Sequence, residues 1–153
     1  MKKRNVLYGL TIVWLVFIFW NSFQSAAESS GISSPIVDFV YNSLLKINIK
    51  FNYKTLSIII RKSAHVFEYM ILGILMILNF FETKLSDKYC LLYAFFVSML
   101  IAITDEIIQT YVGGRAGMVL DVGFDTLGIS LGIILVCLVQ LWINKKRRNN
   151  NGN

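Results

Sequence analysis

Charge is scarce in this chain: only 16% of its 153 residues are Asp, Glu, Lys or Arg, against 56% hydrophobic, and its mean hydropathy is positive at +0.60. That balance excludes an ordinary soluble domain and points to an integral membrane protein of one domain. Cysteine is equally scarce. Cys90 and Cys137 are too few and too far apart for a zinc or disulfide framework, and they read as small apolar helix residues. No basic motif interleaved with aromatics occurs, so the formal charge of +6 does not imply nucleic acid. The basic residues gather at the two ends instead, in Lys2 to Arg4 and Lys145 to Arg148. That placement suits anchoring against an anionic leaflet.

What is present is a set of four apolar runs, and these predict an all-α membrane protein with spans at about 6–23, 64–81, 89–104 and 122–143. One domain over 1–148 is expected, with 149–153 as a disordered tail. For the first run a secretory signal peptide competes, since Lys2 to Arg4, an apolar core and Ser25, Ala26, Ala27 follow in order. The core exceeds the usual length of about 7 to 15 residues, which favours a span. Between the first two spans, ESSGISS reads as polar and flexible, and Ser34 followed by Pro35 reads as a helix start. Ile36, Val40, Leu44 and Ile47 then recur at helical spacing. They predict an amphipathic extracytoplasmic helix from Pro35 to about Ile49, lying in the interface. Thr55 is a candidate cap for the next helix. Trp14, Trp20 and Trp142 read as lipid-facing packing and interface anchors.

Four spans put both termini on one side, and the terminal basic runs make that side the cytoplasm, with Lys84 and Lys88 in agreement. Lys46, Lys50, Lys54, Arg61 and Lys62 oppose this, in a loop that would lie outside.

The stretch Arg61 to Tyr69, RKSAHVFEY, departs from an anchor. At ~100° per residue Arg61, His65, Glu68 and the apolar Leu72 fall within roughly 60° of arc, so three polar groups share a stripe that turns apolar. Partners come later in the chain: Asp105, Glu106 and Gln109 in TDEIIQ, Arg115 in GGRAG, and Asp121 and Asp125 in DVGFD. Each group falls at the outer end of a predicted span. Ionisable groups there cost several kcal/mol unless paired or wet. Acid exceeds base in the cluster, and crowded carboxylates share a proton or recruit a cation, so a divalent ion or a cationic ligand would complete the site. His65 is able to change charge near neutral pH. Along the last span Gly128 and Gly132 form a GxxxG pattern, read as close packing on the second or third helix, with homodimerisation as the alternative. Gly113 to Gly117 offers either a plain turn or a phosphate nest with Arg115; no lysine and hydroxyl follow as in a nucleotide-binding loop.

RKSAHVFEY, DEIIQTYVGGR and DVGFDTLG, in that order, resemble the signature of the VanZ-like family over roughly Arg61 to Gly132. The family takes its name from a protein associated with resistance to the glycopeptide teicoplanin. The resemblance implies a small protein of a Gram-positive-type cell envelope, in the cytoplasmic membrane, with no established reaction. It carries over Arg61, Lys62, His65, Glu68 and Tyr69, then Asp105, Glu106, Gln109 and Arg115, then Asp121, Asp125 and Gly128. Many members place a His before the Gln and a Pro before the Gly-Arg, where this chain has Ile108 and Gly113.

Three functions fit these residues. The first is modulation of envelope susceptibility to glycopeptides or lipoglycopeptides by binding a ligand or altering a lipid-linked cell-wall component. In it Arg61, Lys62, Tyr69, Gln109 and Arg115 would bind ligand or headgroup. The second is a membrane-embedded hydrolase or transferase on a lipid-linked phosphate or sugar. His65 or Glu68 would be its base, Asp105 and Glu106 would join the catalytic set, and Asp105, Glu106, Asp121 and Asp125 would hold a metal. The third is a structural subunit whose ionic groups only staple helix ends, Arg61 to Glu68 or an aspartate and Arg115 to Asp105 or Glu106.

Overall fold

The computed structural model describes residues 3–114 and 119–150. Among them it holds five helices: α1 (Lys3–Ser22), α2 (Ala26–Lys46), α3 (Tyr53–Phe81), α4 (Asp87–Thr110) and α5 (Val119–Asn150). All but α2 are long and apolar enough to cross a membrane.

α2 corrects the expected start at Pro35. Ser25 is the N-cap: its hydroxyl accepts the Glu28 N–H at 3.3 Å, and the Glu28 carboxylate accepts the Ser25 N–H at 2.8 Å, a reciprocal capping box. ESSGISS is therefore helical, and Pro35 lies inside the helix. Proline removes the N–H that would reach the Gly31 carbonyl. The Ser34 hydroxyl donates to that carbonyl at 3.1 Å, and Ser33 donates to Ser30 at 3.2 Å. The face is turned as well. Val37 is buried while Ile36 is 58% exposed, so Ser33, Val37, Val40 and Leu44 form the inner side. The helix stops in a Schellman motif, with the Asn48 N–H on Leu45 and the Ile49 N–H on Leu44, and with Asn48 in the left-handed region at φ 60°.

The cap of α3 is Asn52 rather than Thr55; its side-chain oxygen accepts the Thr55 N–H at 3.1 Å. With 29 residues α3 is ~43 Å long, well beyond the ~30 Å hydrocarbon core. Its first turns therefore project past the apolar run. α4 starts at Asp87 and α5 runs on to Asn150, so Asn149 and Asn150 are helical, while the rest of the expected tail lies outside the described residues.

Side-chain contacts give the helix directions. The Asn79 amide donates to Thr11 Oγ1 at 2.6 Å, and the Asn21 amide donates to Glu68 Oε1 at 3.2 Å, so α1 runs antiparallel to α3. Lys62 meets Asp121 and His65 meets Asp125, so α5 runs parallel to α3. α3 packs on every other helix, most extensively on α5. That interface is backbone on backbone. A Cβ at Gly128 would strike the Val66 carbonyl and one at Gly132 the Met70 carbonyl, while Gly73 on α3 sits against the Ile129 backbone. Tyr69, Leu72, Ile77, Ile129 and Ile133 fill the core with Ile18, Cys90, Ala94 and Ala102. Outward-facing Val13, Val16, Leu131 and Leu138 leave an apolar surface suited to lipid.

Candidate functional site

The two helix directions collect the sequence motifs at one end of the bundle, opposite the termini. Counting ~20 residues back from Phe81 reaches Lys62, so Lys62 and His65 stand near the margin of the apolar slab and Glu68 and Tyr69 lie a turn below.

Each motif takes a separate part. Lys62 forms an ion pair with Asp121, both about 30% exposed, and its ammonium also lies 4.7 Å from the Phe124 ring centroid. This pair staples α3 to α5. One turn deeper the His65 Nδ1 stands 3.6 Å from Asp125 Oδ1, and Asp125 is fully buried. From α4 come Asp105, Glu106 and Gln109, all buried, with the Gln109 amide donating to Asp105 Oδ2 at 2.9 Å. Ligand-type atoms of His65, Asp105 and Asp125 all lie within 4.8 Å of one another. Asp105, Glu106, Asp121 and Glu68 all act on Asp125 as like charges. Tyr69 is fully buried in the core, in the field of Asp105, Asp125 and Glu68.

Beside this cluster a pocket of about 180 Å³ opens between α1, α2 and α3. Arg61, His65, Glu68, Asn21 and Ser33 give it polar groups, and Ile32, Ile36, Ile60 and Ala64 give it an apolar wall. Arg61 is exposed and makes no ion pair with another described residue, so the expected staple from Arg61 to Glu68 or an aspartate is not formed. Arg115 and Gly117 lie outside the described residues. The loop leading to them is tied down: the Gly113 carbonyl accepts the Ala26 N–H at 3.3 Å, and Gly114 takes φ +78° against the Ala26 side chain.

Two α1 residues at this site were not among the expected ones. Asn21 binds the Glu68 carboxylate, and Trp14 turns inward to donate its indole N–H to the Glu68 carbonyl at 3.0 Å, which corrects its reading as lipid-facing. Their spacing of seven puts both on one helical face, and NSFQS just after Trp20 is the signal that marks the polar end of α1.

The family model described as VanZ/LLP1 matches residues 6–140. Neither a curated protein nor a solved structure matches the chain. The match runs from within α1 to within α5 and takes in the stretches RKSAHVFEY, DEIIQTYVGGR and DVGFDTLG, and the chain belongs to the VanZ/LLP1 family.

Proposed function

We propose that this VanZ-like membrane protein modulates the susceptibility of a bacterial cell envelope to glycopeptide antibiotics of the teicoplanin type. The polar end of its bundle faces outward, and both termini lie in the cytoplasm of a Gram-positive-type bacterium. The observation that carries this reading is the pocket between α1, α2 and α3, where Arg61, His65 and Glu68 meet an isoleucine-rich wall. A pocket polar at one side and apolar at the other suits an amphiphile: an acyl-bearing glycopeptide or a lipid-linked cell-wall component entering from the outer headgroups. Arg61 supplies an exposed charge for the head, and Ile32 and Ile36 supply surface for a chain. α2 in the interface would form the lip. Support for the outward direction comes from the basic tail, Lys145 to Arg148, at the far end.

A second reading, a membrane-embedded hydrolase or transferase on a lipid-linked phosphate or sugar, is favoured by His65 bordering both the pocket and the buried carboxylates. It predicts turnover of the bound lipid, whereas the first needs binding alone.

The test is teicoplanin and vancomycin susceptibility of a sensitive host expressing the chain, beside Arg61→Gln, His65→Ala and Asp105→Asn variants of equal membrane abundance. Protection by the wild type, stronger for teicoplanin and lost in the variants, is expected. Equal protection by all variants would reduce the cluster to a staple, and no protection by the wild type would refute the reading.

A further inference from the structure

We infer that His65, Asp105 and Asp125 form a binding site for one divalent transition-metal ion, set just below the Lys62–Asp121 ion pair. The inference does not depend on the glycopeptide reading. It starts from Asp125, which is fully buried at 0% exposure, and neither of whose carboxylate oxygens has a hydrogen-bond partner among the described residues. A carboxylate desolvated to that degree is costly unless something cationic answers it. Four further carboxylates share its surroundings, and Lys62 at this end of α3 is turned to Asp121.

The geometry fits an ion. At metal–ligand distances of about 2.1 Å, the 3.6 Å between His65 Nδ1 and Asp125 Oδ1 subtends about 118° at the metal. No two ligands of one ion at such distances stand more than ~4.2 Å apart. The three atoms lie within 4.8 Å, so a closure of at most ~0.6 Å brings the widest pair onto one centre. The Gln109 amide holds the Asp105 carboxylate through Oδ2. A second hydrogen-bonded group of that kind commonly fixes a metal-ligating carboxylate. One imidazole with two carboxylate oxygens suits zinc, manganese or iron(II) over magnesium or calcium, which prefer oxygen alone. Three protein ligands also leave a coordination position open. His65 lines the pocket, so that position would be reached from there.

The set differs from the four carboxylates suggested by sequence. Asp121 is held by Lys62 and takes no part, Glu106 is not in the group, and His65 enters as the third ligand beside Asp105 and Asp125.

The experiment uses the full chain purified in detergent, stripped with chelator and reloaded with zinc, manganese, magnesium or calcium, with metal counted per chain. Cobalt(II) then serves as a spectroscopic probe. One zinc or manganese per chain is expected, with a cobalt d–d spectrum of nitrogen–oxygen ligation. Asp125→Asn and His65→Gln should each weaken binding by more than the ~10–100-fold of an outer-shell change, and Gln109→Leu should fall within that range. Asp38→Asn, on the exposed part of α2 where Tyr53 donates to the carboxylate, should bind as wild type does. Thermal unfolding shows that each variant is folded. If Asp125→Asn fails to fold, the wild-type cobalt spectrum and stoichiometry decide alone. Folded wild type with no stoichiometric zinc, manganese or cobalt would overturn the site. So would magnesium or calcium bound as tightly as zinc, or a folded Asp125→Asn that retains full affinity.

Discussion

Asp121 and Asp125 lie one helical turn apart and differ in almost everything that sets a carboxylate's behaviour. Asp121 is part exposed and answered by Lys62, whereas Asp125 is sealed beneath it. Solvent screens the upper pair, so a Lys62→Gln/Asp121→Asn double-mutant cycle on thermal unfolding should return a coupling of at most about 1 kcal/mol. Asn21→Leu should cost about 0.5–1.5 kcal/mol in the same assay, because it withdraws a hydrogen bond from Glu68. Glu28 answers to pH instead. Hydrogen bonds from the Ser25 hydroxyl and backbone N–H hold its carboxyl below the usual range. A lowered folded value means that the capping box stabilises α2 above the ordinary carboxylate pKa of about 4.3 and that this is lost as pH falls through the lower folded value. Amide exchange at residues 26–29 should therefore lose protection in acid, and Glu28→Gln should abolish that pH dependence. Protection unchanged between neutral and acid solution would mean that the ionised Glu28 does not hold the start of α2.

Among the elements, α3 and α5 decide the architecture. Gly128 and Gly132 let two backbones touch, and nothing in that contact is flexible enough to move aside for a side chain. Gly128→Leu should cost more than about 3 kcal/mol and separate His65 from Asp125. Gly123, on the same helix with nothing within 4 Å of an added Cβ, is the control: Gly123→Ala should be neutral or stabilising by up to about 1 kcal/mol. The result is read from thermal unfolding in detergent. The apolar runs of the four spanning helices were plain in the sequence, because hydropathy over ~20 residues is dictated by the bilayer. Their ends were not. The apolar run begins at Ala64, but α3 is capped at Asn52, three residues before the Thr55 that the sequence offered, because its first turns need no lipid. α2 was misread because Ser34–Pro35 carries a helix-start signature, while the true start, Ser25 with Glu28 three residues on, has the same kind of signature nearer the first span. Both signals were present, and only packing of Val37 on the bundle chooses between them. Pro35→Ala should restore the bond to Gly31 and slow amide exchange over residues 31–39, by up to the ~3 kcal/mol an internal proline costs.

For the whole molecule, three motifs distant in sequence meet at one end because α3 and α5 run parallel and α4 returns between them. The grouping of His65, Asp105 and Asp125 was legible as polar residues at span ends. The share of α1 was not, since Asn21 and Trp14 carry no charge and acquire meaning only when α1 lies antiparallel beside Glu68. Which carboxylate stays buried also depends on helix rotation, which spacing alone does not set. Everything proposed for the pocket requires this end to face outward. A membrane-impermeant maleimide applied to intact cells tests that directly, in a chain with Cys90 and Cys137 replaced by serine and a single cysteine at Lys50 or at Asn149. Lys50→Cys should label in intact cells, and Asn149→Cys only after lysis. The reverse pattern would put the polar cluster on the cytoplasmic side and contradict the role proposed for it at the outer face.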